Sequence, residues 1–471
     1  GKQEESGLIQ GVVDVIGLSI LFVVCLVPFG CTKPSDKALV EAQGAYERKD
    51  YNRALAISDS ILQKKPDFLP AHRLIALSYM AQGSIEAAFN GYDLVEQRYP
   101  EIAPQLLREI LIGMMKISLR HENFFVRSAA VKAIGEMGDP ALIPLIVPSL
   151  KDSETFVRFF AVESIGLLGG PDALKLFMAA GNDPDGMVRV GAVKAIDDMA
   201  EAQKKSGIQS GTEINKLFAV FRNDDDITVR LFSLAAMAKW GDRDAFSKMV
   251  KIIKGLEPGE RAAGVAALGR SQKSEAAHFL VDFITDPDET LRMYAAEAMG
   301  DIASSELYLP LLKALTDQDP AVRGAAATSL GKLGDRKAIP HLTKLLNDPD
   351  AIVRVSAAEG LSYLGKNEDA VYRAALTEDD YGIRHFTIGS LRRTGGGKAL
   401  LLLAETLNDT APRVRIAGIR AIGEIGGIDD LSLLKESLKD PDLAVRTYAA
   451  GNVGRILNKA SGKKLQKIQD E

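Results

Sequence analysis

The chain has 471 residues, 46% of them hydrophobic but only 6% aromatic, with one Trp, two Cys and five His. That composition supports a large core built mostly from Ala, Leu, Ile and Val, which suits close helix–helix packing. A net charge of −5 argues against a dedicated nucleic-acid binder, and cysteines only at 25 and 31 leave neither a disulfide framework nor a Cys-based zinc site.

From Val15 to Phe29 the chain reads VIGLSILFVVCLVPF, an uncharged run that is short for a bilayer span and the right length for the apolar region of a signal peptide. Small and polar residues follow abruptly, from Gly30-Cys31-Thr32 to Asp36. A small residue before Cys after an apolar run resembles the lipobox of bacterial lipoproteins. Pro28 stands where that family usually has Leu, and Glu4, Glu5 and Asp14 depart from its basic start. The resemblance implies cleavage before Cys31, with Cys31 as the lipid-attachment site. An uncleaved anchor or an ordinary signal peptide is the other reading. Residues 1–30 are thus expected to be a signal peptide, and 31–37 a linker.

Between about 38 and 100 the sequence repeats at a period of 34: Ala42 recurs as Ala76, Ala54 as Ala88, Pro66 as Pro100, and Lys49 aligns with Gly83. Each copy predicts a helix–turn–helix closed by Pro. The pattern resembles the tetratricopeptide repeat, although the Trp and Leu-Gly of that family's first helix are missing. The resemblance implies a short peptide groove; the alternative is a cap for the array that follows. Residues 101–121 predict a connecting helix.

Over 122–457 an arginine recurs as Arg127, Arg158, Arg189, Arg230, Arg261, Arg292, Arg323, Arg354, Arg384, Arg415 and Arg446, at intervals of 30 or 31 residues apart from one of 41. The position before it is Val, Leu or Ile except at Glu260; the third after it is small, from Ala130 to Ala449; the seventh is always apolar, from Ile134 to Val453. These offsets share one helical face. An acid stands six positions before the Arg in nine units, often followed by Pro, as in Asp183-Pro184 and Asp348-Pro349. That placing suits a helix start, with the Asp accepting orphaned amide hydrogens. Gly is frequent eleven positions after the Arg, a fitting helix stop, and a second apolar helix follows.

This unit, typified by DPAVRGAAATSLGKLGDRKAIPHLTKLLND, resembles the short HEAT repeat shared with phycobilisome lyases. The resemblance implies an all-α solenoid of about eleven hairpins, roughly 100 Å long at interaxial distances of about 8–10 Å. It also implies a concave surface lined by the second helices. The recurring arginines read as a structural ladder, each pairing with an acid or helix-end carbonyl of an adjacent repeat; presentation to an anionic ligand is the alternative. Lys248, Lys251, Lys254, Lys313, His341, Lys344 and Lys435 on the second helices would give a mildly basic concave face or a merely solvated one. The remaining 458–471 reads as a polar tail.

Some relatives by repeat are enzymes. Di-iron deoxyhypusine hydroxylases use several His-Glu pairs, whereas only His121-Glu122 occurs here, so no metal site, catalytic residue or cofactor is assigned. Asp224-Asp225-Asp226 occupies a repeat turn, where capping is its expected role. Trp240 reads as core, Ala200–Thr212 as a polar loop inserted into the third unit, and Arg392-Arg393 before three glycines as a weakened turn. The unit at Arg261 lacks both the acid and the apolar residue before Arg and reads as a bend. The whole implies a non-enzymatic scaffold or assembly factor of a Gram-negative envelope. It would be lipid-anchored on the periplasmic side, preferably at the outer membrane, and would bind protein partners and no nucleic acid. An enzyme or enzyme subunit of the bilin-lyase type is the alternative.

Overall fold

A computed structural model describes residues 34–170, 172–205, 211–395 and 397–470. Cys31 and the whole segment read as a signal peptide lie outside the described residues. The chain divides into two compact units, 1–106 and 107–471. Among the described residues every regular element is helical, and none is long and apolar enough to cross a membrane.

The first unit holds α1 (Pro34–Glu47), α2 (Tyr51–Lys64), α3 (Leu69–Ala81) and α4 (Ile85–Arg98), followed by α5 (Ala103–Ser118), within which the division falls. α1 packs on α2, and α3 on α4. The recurring small residues Ala42, Ala54, Ala76 and Ala88 are fully buried, so their lack of bulk is what lets the helices meet. Lys49 and Gly83, at matching places, both turn with positive φ, 63° and 80°.

The second unit holds eleven long first helices. They are α6 (Phe124–Met137), α8 (Thr155–Leu168), α10 (Gly186–Lys205), α12 (Ile227–Lys239), α14 (Arg261–Arg270), α16 (Glu289–Ile302), α18 (Pro320–Leu333), α20 (Ala351–Tyr363), α22 (Tyr381–Thr394), α24 (Pro412–Ile425) and α26 (Leu443–Asp470). Between them lie shorter second helices: α7 (Ile143–Ile146), α9 (Ala173–Ala180), α11 (Gly211–Phe218), α13 (Ala245–Ile253), α15 (Ala276–Phe283), α17 (Tyr308–Ala314), α19 (Ile339–Leu345), α21 (Asp369–Leu376), α23 (Gly397–Glu405) and α25 (Leu431–Lys435). α26 continues through the residues read as a polar tail.

Each first helix packs on the first helices before and after it, and α26 packs extensively on α6. The array therefore closes into a ring. The solenoid of eleven units expected to be roughly 100 Å long at about 8–10 Å per step is present, with that contour bent around a circle. The cause is the close approach of neighbouring first helices. Eight positions after the ladder Arg stands Gly135, Gly166, Gly269, Gly300, Gly331, Gly423 or Gly454, and Ser164, Ala195, Ala298, Ser329 and Gly360 of following helices meet the first five of these. A Cβ on Gly135 would lie 2.6 Å from the Ser164 Cβ, so only hydrogen fits there. The second helices pack mainly on their own first helices and hardly on one another. The tighter row must lie on the inside, so the first helices, not the second, line the concave wall. That overturns the expectation taken from the resemblance.

The turns correct a second expectation. The acid six positions before the ladder Arg is not the helix cap. The caps stand two positions later: Asp226, Asp288, Asp319 and Asp350 each accept from the amides two and three residues on, as from Thr228 and Val229 at 2.7 and 3.2 Å. The earlier acid folds the turn instead, as when Asp152 Oδ1 accepts from the Glu154 amide at 3.0 Å.

Candidate functional site

Two sets of side chains recur around the ring, one at the rim where the first helices begin and one on the inner wall. At the rim, every ladder Arg except Arg261 turns one guanidinium nitrogen back onto its own loop: Arg323 Nη1 donates to the carbonyls of Asp317 and Gln318 at 2.9 and 3.0 Å. Its other edge reaches the next unit, Nε and Nη2 donating to both carboxylate oxygens of Asp348 at 2.9 Å each. The same two-point pairing joins Arg127–Asp152, Arg158–Asp183, Arg189–Asp224, Arg292–Asp317, Arg384–Asp409 and Arg415–Asp440. Arg354–Glu378 and Arg261–Asp286 pair through single contacts of 3.2 and 3.4 Å. Burial alone would raise the Asp152, Asp317, Asp348 and Asp409 carboxyls; the Arg and amide hydrogen bonds and Arg charges outweigh it and hold all four below the usual carboxylate range.

The inner wall is built by positions five and nine after the ladder Arg, which are neighbours on one helix face. Their orientation follows from contacts that skip a helix. Arg420 on α24 reaches past α26 to donate to Glu136 on α6 at 2.5 Å. Arg270 on α14 reaches past α12 to Asp197 on α10 at 2.9 Å. Asp197 also accepts from Lys239 and from the Trp240 indole, the latter at 2.8 Å, so Trp240 both fills core and orients a buried carboxylate. Arg393 closes on both oxygens of the fully buried Glu359 at 2.6 and 2.7 Å, and Arg392 pairs with Glu424.

A cavity of about 400 Å³ opens on this wall beside the ring closure, lined by Lys132, Glu136, Glu163, Leu167, Lys194, Asp198 and Arg420 among others. Lys132 lies 4.2 Å from the centre of the Phe160 ring and Lys194 5.1 Å from that of Phe232; Arg420 stands over Tyr448 at 5.6 Å. Each is a cation five positions after one ladder Arg, set on an aromatic two positions after the next. Burial pushes both lysines below their ordinary value, helped by the nearby positive charges of Arg420 and Arg270 respectively. Asp198, its side chain 76% exposed, adds an acid to this surface. The wall can thus present charge of both signs together with the exposed Leu167.

The other singled-out residues serve the scaffold. His121 Nδ1 accepts from the Asn123 amide, and the Glu122 carbonyl accepts from Arg127. Asp224 and Asp225 hold Arg189, while Asp226 caps α12. Lys248, Lys251, Lys313, His341 and Lys344 are exposed on second helices away from the wall, Lys254 is exposed just past the end of α13, and Lys435 is half-buried at the end of α25. Among the described residues no three His, Cys, Asp or Glu side chains gather as a metal site would need. The apolar stripe does not reveal the inner-wall residues. Their signal was present, as charged residues spaced four apart on the opposite side of the same helices.

The profile described as HEAT repeats matches residues 113–197, 214–292, 278–362 and 369–453. No curated protein matches the chain. Among solved structures, the phycocyanin lyase complex of CpcE and CpcF from Nostoc is 18% identical, with 50% of this chain and 93% of that one covered at a TM-score of 0.35. Human deoxyhypusine hydroxylase is 17% identical over 56% and 99%, with a TM-score of 0.27. The karyopherin Kap121p, bound to the SUMO protease Ulp1p, is 14% identical over 93% and 55%, with a TM-score of 0.33. With the repeat profile matching well over half of its length, the chain belongs to the HEAT-repeat family.

Proposed function

We propose that this chain is a non-enzymatic protein-binding scaffold of the bacterial envelope. It is anchored through a lipid on Cys31, and its tetratricopeptide-like hairpins at 38–100 hold a second peptide segment. The observation that carries the protein-binding reading is the pair Phe125 and Phe156. They occupy the same position in adjoining units, two residues before the ladder Arg, and are 67% and 53% exposed at one rim of the ring. Phe124 stacks on Phe125 with ring centres 4.1 Å apart, which widens the patch. Exposed aromatics so placed are what protein interfaces use as anchors, and leaving them in water without a partner has no structural return.

Crosslinking with mass spectrometry in the native cell tests this reading. Phe125→Asp combined with Phe156→Asp is expected to remove the crosslinked partner while leaving the helical content unchanged. A partner captured equally by both proteins sinks the reading. The anchor is tested separately: Cys31→Ala is expected to abolish acyl labelling and membrane fractionation, and unchanged labelling refutes it.

A further inference from the structure

Among the described residues, nine ladder arginines hold a carboxylate of the following unit, and two do not. Arg446 faces the ring closure, where the matching position of the first unit is His121, and its Nε is buried without a partner. Arg230 is different. It is half-buried, and its Nη1 donates to the carbonyls of Asp224 and Asp225 at 2.5 and 3.1 Å, the pose of every other rung but Arg261. Nε and Nη2 are therefore aimed toward the next unit, as in Arg189, where those atoms hold a carboxylate at 2.9 and 2.7 Å.

The position that should supply that carboxylate is Gly255, six residues before Arg261. A Cβ built on Gly255 would meet only the Ile252 carbonyl within 4 Å, at 3.6 Å, and Gly255 is not among the residues of positive φ. A side chain could therefore start at this position without a clash, and none stands there. The acids around Arg230 are committed: Asp224 and Asp225 to Arg189, and Asp226 to the start of α12. A guanidinium fork held rigidly with two parallel donors is preorganised for a carboxylate, because the loop carbonyls have already restricted its rotamer.

We propose that Arg230 is a receptor for an acidic turn of a partner protein. The partner's first Asp takes the place of the missing rung and donates nothing, while Nε and Nη2 of Arg230 donate to its two oxygens. The turn chemistry is specified by the ring itself. The rung acids that fit this fork sit in segments such as Asn347-Asp348-Pro349-Asp350-Ala351, where Asp348 Oδ1 also accepts from the Asp350 amide at 3.0 Å. This inference rests on the protein-binding reading for the source of the carboxylate.

The test uses the full chain and a fluorescent peptide, Asn-Asp-Pro-Asp-Ala, followed by anisotropy. Saturable binding is expected, weakened at least about tenfold in Arg230→Gln and in Gly255→Asp, since the latter supplies an internal rung. Gly255→Asp should keep or raise the Tm, which separates a filled rung from a misfolded protein. Equal binding to all three proteins, or no saturable binding to the parent chain, overturns the proposal. If free acetate competes at the same concentration as the peptide, the site takes small carboxylates and the partner-turn assignment fails. Partner crosslinks that survive in Arg230→Gln but vanish in the Phe125/Phe156 double variant overturn the rung alone and leave the scaffold reading standing.

Discussion

Ser118 and Thr447, 329 residues apart in sequence, share a hydrogen bond of 3.2 Å between buried hydroxyls. The contact exists only because the last first helix lies against the start of the ring. Asn452 donating to Glu136 at 2.9 Å and Asn458 donating to the Met137 carbonyl at 2.8 Å belong to the same closure.

That geometry makes closure measurable. Ser118→Cys with Thr447→Cys is expected to oxidise to a disulfide, shifting mobility on a non-reducing gel. Constraining so long a loop should stabilise by up to about 5 kcal/mol, seen as a Tm that falls when reductant is added. An open array would leave both thiols free to titrate.

Breaking a rung should cost far more than removing an exposed ion pair. The Arg323 and Asp348 side chains are 15% and 7% exposed, and Arg323 also satisfies two loop carbonyls. Arg323→Ala is expected to lower stability by about 2–4 kcal/mol in urea unfolding. Arg53→Ala, which breaks a pair with Glu41 exposed by more than half on both sides, should barely move the midpoint.

The rungs also set a pH dependence. Their carboxyls are held below the ordinary value in the folded chain, so the native state binds fewer protons than the unfolded one. Their stabilisation is complete above about pH 4 and is lost as pH falls through the lowered values. His385 adds a window nearer neutrality. Partial desolvation of its exposed ring, then the charges of Arg420 and Arg413, lower its pKa, so its contribution is present above about pH 6.5 and declines as pH drops below that. Tm measured from pH 7.5 to 3 should show two declines, and His385→Gln should remove only the upper one.

Two glycines at the same repeat position should respond with opposite signs. A Cβ on Gly331 would overlap the Gly360 backbone, so Gly331→Ala should destabilise by about 1–3 kcal/mol. On Gly166 it would rest 3.6 Å from the Ala195 Cβ, an ordinary contact, so Gly166→Ala should gain up to about 1 kcal/mol of helix propensity. Urea midpoints of the two variants decide it, and a common sign would refute the role given to close helix approach.

The hairpins were legible because burial imposes local period: Arg323 with Val322, Ala326 and Leu330 marks one helix face, and Gly334 marks its end. Closure was not legible, because it depends on a small rotation between neighbours that accumulates around the array. That rotation follows from whether Gly135 can touch Ser164, a contact between units that no single unit reveals. The cap assignment failed for a related reason. Two acids stand two residues apart in Asp348-Pro349-Asp350, and only the fold shows that one serves its own helix and the other the neighbouring unit.

An open row of repeats can gain or lose a member at little expense, since each addition merely extends it. Joining α26 to α6 removes that freedom: with eleven first helices each step turns about 33°, and a tenth or twelfth would leave a gap or an overlap. Duplication of one unit, which merely lengthens a linear array, would here change the circumference and part α26 from α6. Fraying from a free end is likewise denied to this part of the chain, so its unfolding should begin by rupture somewhere along the circle.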